Sequence, residues 1–444
     1  MIEFLQYPLA LLVTLGVLVT FHELGHYVVA RWSGVRIVRF SVGFGRPIWS
    51  RTDRHGTEWA VAAIPLGGYV RMLDEREPGT VEAEARPGDV SYNDLTVGWR
   101  AAIAAAGPLA NFLLAIVVYW FLFVAGNTTI APMLGDVPEG SPADRAGLSA
   151  GLEIVSVDGQ SARSWQQVTM ALAGRLGDSG AIDLGVRRPG TGPVTQASLT
   201  IDGWHRGVDE PDLLASLGIE PALPPVLGEI MPDSPAQRAG LRQYDRVVAV
   251  DGEPQESWSD WVDTVQAAPD RTLAVTVDRD GRRLDLSVRP EARGAGTDAT
   301  GYVGVAPHLN EIRYGPLAAV PKGVAETWDK TALTLGLLKK MVTGDVSVKN
   351  LSGPITIARV AGDSARSGWT YFLGVLALLS ISLGVLNLLP IPILDGGHLL
   401  FCAAEAATGR PVSERIQILG TQIGLFLVAG LMVLALYNDI SRLF

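Results

Sequence analysis

The chain has 444 residues, 48% of them hydrophobic, and a formal net charge of −10 at neutral pH. It is too apolar for an ordinary soluble protein and, with 18% charged residues, too polar to lie in lipid throughout, so membrane segments joined to soluble domains are expected. The acidic balance argues against a nucleic-acid-binding protein, and the single cysteine, Cys402, excludes an internal disulfide.

The first apolar segment, residues 4–30, contains three ionisable residues near its end. His22, Glu23 and His26 follow a run, residues 4–21, that carries no charge. Residues four apart share one face of a helix, so both histidines can bind one Zn²⁺ while Glu23 reaches the attacking water. On a soluble helix this string is only a weak match to a zinc site. In lipid a carboxylate costs about 2.5–3.5 kcal/mol, which makes a functional role the default hypothesis.

Three further segments are long and apolar enough to cross a bilayer of ~30 Å. With the first they cover residues 4–30, 101–126, 370–389 and 416–437. We interpret the first as a retained span, because Glu3 stands where a signal peptide carries basic residues. Arginines flank the loop between the first two spans: Arg31, Arg36, Arg39, Arg46 and Arg100. The positive-inside rule therefore predicts that residues 31–100 are cytoplasmic, and that both termini and residues 127–369 are extracytoplasmic.

The cytoplasmic loop contains a predicted β-hairpin. Residues 35–49 and 57–72 have strand-like sequences, and residues 53–56 are typical of a turn. Residues 75–94 are charged and poor in large apolar side chains, so we expect a mobile surface loop there.

The extracytoplasmic region contains an internal repeat with a constant offset of 93 residues. The matched strings are Leu134-Gly135 with Leu227-Gly228, Ser141-Pro142-Ala143 with Ser234-Pro235-Ala236, Arg145 to Leu148 with Arg238 to Leu241, Asp158-Gly159 with Asp251-Gly252, and Trp165 with Trp258. A short helix, a strand ending in an Asp-Gly turn, a second helix and late β-rich segments resemble a PDZ domain. Two PDZ domains in tandem, of mainly β (α+β) structure, are thus expected over residues 127–221 and 222–309.

Both copies close with a hydrophobic-Gly-hydrophobic triplet that resembles the carboxylate-binding loop of a PDZ domain. The triplets are Leu217-Gly218-Ile219 and Val303-Gly304-Val305. Two roles are open for the pair. They could bind a substrate C-terminus by strand addition, or they could form a bulky gate that excludes substrates with a large outer domain.

An amphipathic helix is predicted over residues 316–343, after the second copy. It would lie on the outer membrane face or pack on the repeat pair, with a plain linker helix as the alternative. Residues 310–369 are assigned to this linker region.

A candidate third zinc ligand follows the third span. In the predicted topology the first and third spans end at similar depth on the cytoplasmic side. Pro390 and Pro392 cannot continue a helix, so the chain extends there and Asp395 can turn towards the metal. Two histidines and a carboxylate leave a fourth position open, as in catalytic zinc sites. His398 is a competing candidate ligand. Its alternative is to contact the metal ligands without binding the metal, or to face solvent.

Together these residues resemble the site-2 protease family of intramembrane zinc metalloproteases, in its branch with two tandem PDZ domains. Supporting matches are residues 107–112, Gly43-Phe44-Gly45 and residues 352–355. The resemblance implies a multi-pass α-helical protein of the bacterial inner membrane, with four transmembrane helices, one Zn²⁺ per chain and periplasmic PDZ domains. Its implied activity is cleavage of single-pass transmembrane regulators of the anti-sigma-factor type, after a first extracytoplasmic cut, releasing a cytoplasmic signalling fragment.

The resemblance also suggests roles for residues beside the metal ligands. Glu23 would be the general base, and Asn387 would hydrogen-bond the substrate backbone or the developing oxyanion, with an interhelical hydrogen bond as its alternative. A substrate helix must become extended before it can be cut. The hairpin, with Gly43-Phe44-Gly45 and Gly67-Gly68-Tyr69 matching the family's re-entrant sheet, could accept it as an added strand near Pro390 and Pro392. An ordinary cytoplasmic hairpin is the alternative.

Two functions of other classes compete with the protease. One is a catalytically silent PDZ scaffold in the membrane, against which the presence of Glu23, both histidines and Asp395 argues. The other is a transporter or channel with a metal site, which the absence of a matching inverted repeat in the sequence disfavours.

Overall fold

The computed structural model of the chain describes residues 2–74, 88–188, 193–279, 281–294 and 299–442. Its helices are α1 (Ile2–Ser33), α2 (Val97–Ala125), α3 (Pro142–Arg145), α4 (Trp165–Ala173), α5 (Pro235–Arg238), α6 (Trp258–Gln266), α7 (Pro316–Thr343), α8 (Pro354–Ser367), α9 (Trp369–Asn387), α10 (Asp395–Thr408) and α11 (Glu414–Ser441). The chain divides into two compact units. Residues 1–126, 313–339 and 348–444 form the first, and residues 127–312 and 340–347 form the second.

Most of the strands lie in the second unit. They are β1 (Ile37–Thr52), β2 (Glu58–Met72), β3 (Asn127–Thr129), β4 (Met133–Leu134), β5 (Glu153–Val157), β6 (Gln160–Ser161), β7 (Gly180–Arg187), β8 (Thr195–Ile201), β9 (Pro221–Ala222), β10 (Leu227–Ile230), β11 (Arg246–Val250), β12 (Glu253–Pro254), β13 (Leu273–Arg279), β14 (Arg282–Val288), β15 (Glu291–Arg293), β16 (Thr300–Tyr302), β17 (Val305–Pro307) and β18 (Asn310–Ile312).

Four helices in the described part of the chain are long and apolar enough to cross a membrane: α1, α2, α9 and α11. They confirm the four apolar segments predicted from the sequence. Helix α2 packs against both α1 and α9, and the three share a buried apolar cluster that includes Leu18, Ala115 and Ile381. Outward-facing side chains such as Phe426 on α11 are exposed, as expected for helices whose outer faces meet lipid.

The predicted hairpin consists of β1 and β2, joined by a turn at residues 53–57. It folds across its middle, so residues 39–42 pair with residues 68–71 on one side and with residues 58–61 on the other. Gly43 and Gly45 lie at the bend with φ of 97° and 90°, a conformation that glycine adopts without strain. Residues 68–72 consequently form an edge of this small sheet.

The segment before α2 differs from the expected mobile loop in the part that the structure describes. Tyr92 donates its amide to the Leu73 carbonyl, Ser91 is buried, and Asp89 forms an ion pair with Arg36. The charged residues that suggested a solvated loop are therefore held by the base of the hairpin. Residues 75–87, which the same prediction included, lie outside the described residues.

The 93-residue repeat of the sequence recurs as a repeat of structure. Helices α3 and α4, strands β5 and β6, and their counterparts α5, α6, β11 and β12 begin at positions offset by that number. In both copies an aspartate with positive φ, Asp158 or Asp251, precedes the glycine of the tight turn. Strand order is β8-β7-β5-β4-β9 in the first copy and β12-β11-β13-β14 in the second, and each copy has a separate apolar core.

Helix α7 has the predicted bounds, and its buried and exposed faces differ in residue type. Ala319, Gly323, Thr327 and Lys330 are buried, whereas Trp328 is 70% exposed. Gly323 lies against the α2 backbone, where a β-carbon would be 3.0 Å from the Ile116 carbonyl oxygen. The small residues, rather than the large apolar ones, therefore make the packed face in the first unit.

Candidate metal site and active site

The two histidines of the first span face each other across one helical turn. His22 and His26 lie near the end of α1, with 3.3 Å between their Nε2 atoms. His22 is 8% exposed. Two imidazole nitrogens this close, both pointing to the same side of the helix, leave room for a shared cation between them.

Asp395 reaches the histidines because the chain turns sharply after α9. Residues 388–394 form turns that contain both prolines, and Asp395 is the first residue of α10. The turn is so tight that a β-carbon on Gly396 would lie 2.2 Å from the Leu389 carbonyl oxygen, and one on Gly397 would lie 2.3 Å from Pro392 Cα. Only glycines fit there, and they let the Asp395 carboxylate point back into the unit.

The carboxylate completes a three-residue cluster that fits a metal ion. Asp395 Oδ2 lies 3.2 Å from His22 Nε2, and Oδ1 lies 3.5 Å from His26 Nε2. The three ligand atoms lie within 4.8 Å of one another. Asp395 Oδ2 is buried and has no hydrogen-bond partner among the described residues. Two neutral imidazoles and one carboxylate are a donor set that zinc accepts, with one position left for a water or substrate.

Helix α2 contacts both histidines. His26 Nδ1 lies 2.7 Å from the Ile103 carbonyl oxygen, which accepts its proton and leaves Nε2 free to bind a metal. A β-carbon on Gly107 would lie 2.3 Å from His26 Nε2. Residues 107–112 were identified from the sequence only as a supporting match, so this function of α2 was missed. A glycine and a proline inside a transmembrane segment were the available signal.

A cavity of about 400 Å³ opens beside the cluster. Its walls come from α1, β2, α2, α9 and α10, and its lining residues are His22, Glu23, His26, Tyr69, Val70, Arg71, Met72, Asp74, Tyr92, Ile103, Ala104, Asn387, Ile393, Leu394, Asp395 and His398. Glu23, Asn387 and His398 thus share one cavity with the three metal-binding candidates. Tyr92, whose pKa is raised by burial to about 12, adds a neutral phenol that was not predicted.

The hairpin residues predicted to bind substrate lie at different distances from this cavity. Tyr69 lines it, and the Phe44 ring stacks on Tyr69 with 6.3 Å between the ring centroids. A β-carbon on Gly68 would lie 3.2 Å from Glu23 Cγ, and one on Gly67 would lie 2.1 Å from the Phe44 ring. Gly43, Gly45, Pro390 and Pro392 do not line the cavity. Gly68 lets β2 approach α1, and Pro392 packs beside Gly420 of α11.

The two triplets in the second unit differ in their main-chain hydrogen bonds. In the first copy the amides of Leu217, Gly218 and Ile219 all donate to carbonyls of residues 214 and 215. In the second copy the Val303 and Gly304 carbonyls accept from Ala236 and Met231, while their own amides have no backbone acceptor in the described part of the chain. Gly304 has φ of 76°, and a β-carbon there would lie 2.4 Å from Ser234 Cβ.

Comparison with known proteins gives a consistent result along the whole chain. A sequence profile described as Peptidase family M50 matches residues 10–431. The chain is 45% identical to "Protease RseP" of Yersinia pestis, with 98% of each chain covered. It is 43% identical to "Regulator of sigma-E protease RseP" of Escherichia coli K12 over 100% of each. It is 38% identical to a "Putative zinc metalloprotease" of Vibrio cholerae over 98% of each.

Proposed function

The chain belongs to peptidase family M50, and on this premise we propose that His22, His26 and Asp395 hold its catalytic zinc ion. The enzyme is a zinc metalloprotease of the site-2 type that cuts single-pass transmembrane regulators of the anti-sigma-factor kind within the membrane. The observation that carries the residue assignment is the approach of three ligand atoms, from helices far apart in sequence, to within 4.8 Å.

Glu23 is the proposed general base. Zinc, when bound, lowers the pKa of a water to ~7 and polarises the scissile carbonyl. The Glu23 carboxylate lines the same cavity; it accepts a proton from the attacking water and returns it to the leaving amine, a contribution of about 10²–10⁴ in rate. The Asn387 amide, at the end of α9, donates a hydrogen bond to the substrate backbone or to the oxyanion that develops there.

The substrate is delivered as an extended strand along β2. Residues 69–72 line the cavity and form an edge of the folded hairpin. An unwound substrate segment can add to that edge through main-chain hydrogen bonds, which does not depend on substrate side chains. The exposed apolar side chains of Phe44, Ile48 and Trp49 support insertion of the hairpin into the membrane.

Four helices of the described residues are long and apolar enough to cross a membrane, and we place the protein in the bacterial inner membrane. Residues 31–100 face the cytoplasm in this arrangement, and both termini and the two repeat domains face the periplasm. The arginine distribution of the first loop supports this orientation. The metal cluster then lies towards the cytoplasmic ends of α1 and α9.

The repeat domains are proposed to be PDZ domains with different roles. The amides of the first triplet already donate to carbonyls of residues 214 and 215. The amides of Val303 and Gly304 have no backbone acceptor among the described residues, so they can receive a substrate carboxylate. The second domain is therefore the peptide-binding candidate. The gating role is tested by deleting residues 130–308, which keeps the β3 and β18 pair. Cleavage of an untrimmed substrate by this variant would support a gate. Failure to cleave it, as in the full-length protein, would count against a gate.

The decisive experiment compares the full-length wild type with Glu23→Gln and Asp395→Ala on tagged single-pass regulators. We expect metal-dependent fragments from the wild type, zinc binding without cleavage from Glu23→Gln, and loss of both from Asp395→Ala. Glu414→Gln, at an exposed carboxylate in α11, is the matched control. Unchanged cleavage by Glu23→Gln would disprove the proposed mechanism, and absence of cleavage by any form would favour the silent scaffold.

A further inference from the structure

Asn111 of α2 faces the histidine that begins the zinc motif. The residue is fully buried, and its side-chain Nδ2 lies 3.1 Å from His22 Nδ1. We propose that Asn111 is a positioning residue, whose amide oxygen accepts the Nδ1 proton of His22 and thereby presents Nε2 to the metal. The inference rests on the proposed zinc site. It assigns a function there to Asn111, which belongs to the supporting match over residues 107–112 but does not line the cavity.

The direction of this hydrogen bond follows from the atoms that face the cluster. His22 Nε2 lies 3.2 Å from Asp395 Oδ2 and 3.3 Å from His26 Nε2. A neutral imidazole that binds metal through Nε2 carries its proton on Nδ1, so Nδ1 is a donor. An amide nitrogen is also a donor, and two donors do not form a hydrogen bond. The amide oxygen of Asn111 is therefore the atom that belongs against Nδ1.

The amide of Asn111 can be oriented with its oxygen against His22. Asn111 Oδ1 is buried and has no hydrogen-bond partner among the described residues. The two ends of an amide are assigned from their hydrogen bonds, because oxygen and nitrogen are nearly equal in size. Rotation of the amide by half a turn places the oxygen against His22, where it accepts the Nδ1 proton, and moves the amide nitrogen to the side where the oxygen had no partner.

Both histidines are then supported from one face of α2. His26 Nδ1 bonds the Ile103 carbonyl, and His22 Nδ1 bonds Asn111, two helical turns further along. Gly107 lies midway and leaves space for the rings. An acceptor behind each ligand imidazole fixes the tautomer and raises the basicity of the metal-binding nitrogen.

A packing role for Asn111 can be separated from this one. The main-chain carbonyl of Asn111 accepts a hydrogen bond of 2.8 Å from Ser380 Oγ on α9. That contact joins two helices without using the Asn111 side chain. Ser380 is also fully buried, so Ser380→Ala is a matched control that removes the packing contact and leaves the amide in place.

The test measures zinc dissociation constants of full-length protein in detergent by chelator competition, together with the visible absorption of the Co²⁺-loaded form. Asn111→Leu has similar volume but no acceptor, and we expect zinc binding about 10–100-fold weaker, with altered Co²⁺ bands. Asn111→Asp keeps an acceptor and should bind zinc as the wild type does. Ser380→Ala should retain zinc affinity and the Co²⁺ spectrum.

Each outcome decides the inference. Wild-type affinity in Asn111→Leu overturns it, and so does a loss in Asn111→Asp as large as that in Asn111→Leu, because an aspartate can accept but not donate. If Asn111→Leu fails to fold, Asn111→Ala, which also lacks the side-chain acceptor, takes its place with the same expected loss of zinc affinity. His22→Ala separates the two proposals. Undiminished zinc binding in that variant overturns the zinc site itself, whereas loss there with retention in Asn111→Leu overturns only the role of Asn111.

Discussion

Gly25 of α1 lies against the main chain of Ala106 in α2, where a β-carbon at position 25 would be 2.3 Å from the Ala106 carbonyl oxygen. Gly25 stands between Glu23 and His26 in the chain. The two helices are therefore in close contact at the level of the zinc motif, and this contact sets the depth at which the histidines meet α2.

Gly25→Ala is expected to destabilise the protein by about 1–3 kcal/mol, because the added methyl group meets backbone that cannot yield without moving a helix. Protease activity should fall with it, since the histidines move with α1. Thermal unfolding in detergent and substrate cleavage provide the measurements. Gly16→Ala is the matched control on the same helix, with no atom within 4 Å of its β-carbon. Equal behaviour of the two variants would contradict the prediction.

Gly107→Ala is expected to lower the zinc content of the purified protein. Its methyl group would lie 2.3 Å from His26 Nε2 and 2.8 Å from His22 Cε1, so the rings must leave the cluster. Zinc per chain, measured by atomic emission, is the readout. Gly98→Ala on the same helix has open space around its β-carbon and should retain the metal. Full zinc occupancy with wild-type affinity in Gly107→Ala would show that the rings tolerate the displacement.

Asp439→Ala is expected to release the start of α8 from α11. The Asp439 carboxylate is buried and accepts hydrogen bonds from the amides of Gly353, Ile355 and Thr356 and from the Thr356 hydroxyl. Each donor left without an acceptor costs about 1–3 kcal/mol. Asp439→Asn keeps an acceptor and should lose less stability. Limited proteolysis around residues 345–353 measures the effect, and unchanged protection in Asp439→Ala would rule it out.

The hairpin turn is expected to weaken in acid. Burial alone would raise the pKa of Asp53, but hydrogen bonds from Trp59 and from the amides of Thr57 and His55 outweigh it, so the pKa is lowered. A lowered folded-state pKa gives stability that is present above the ordinary carboxyl pKa of about 3.9 and is lost as the pH falls through the lowered value.

Hydrogen exchange of residues 50–60, corrected for the intrinsic pH dependence of exchange, measures this effect. Wild-type protection should fall below about pH 4. Asp53→Asn keeps an acceptor but cannot ionise, so its protection should be independent of pH in that range. A parallel loss of protection in both proteins would assign the pH dependence to another group.

Prediction from sequence succeeded where one local pattern was enough. The four apolar helices follow from runs of apolar residues, and the hairpin follows from two strand-like runs around a turn. The offset of the repeats could be read from matched strings. Prediction failed for residues 88–94, because charge and hydropathy indicate solvent contact but not which partner a charged residue meets.

The sequence by itself determined which residue types could bind zinc, because two histidines one turn apart inside a lipid-spanning helix have little other use. Only the tertiary structure decided what stands around them. Asn111, Ile103 and Gly107 approach the histidines through packing of α1 against α2. The hydrogen-bonded pairs among them are separated by 77 and 89 positions. No local pattern encodes them, since they depend on the summed shape of every side chain between the helices.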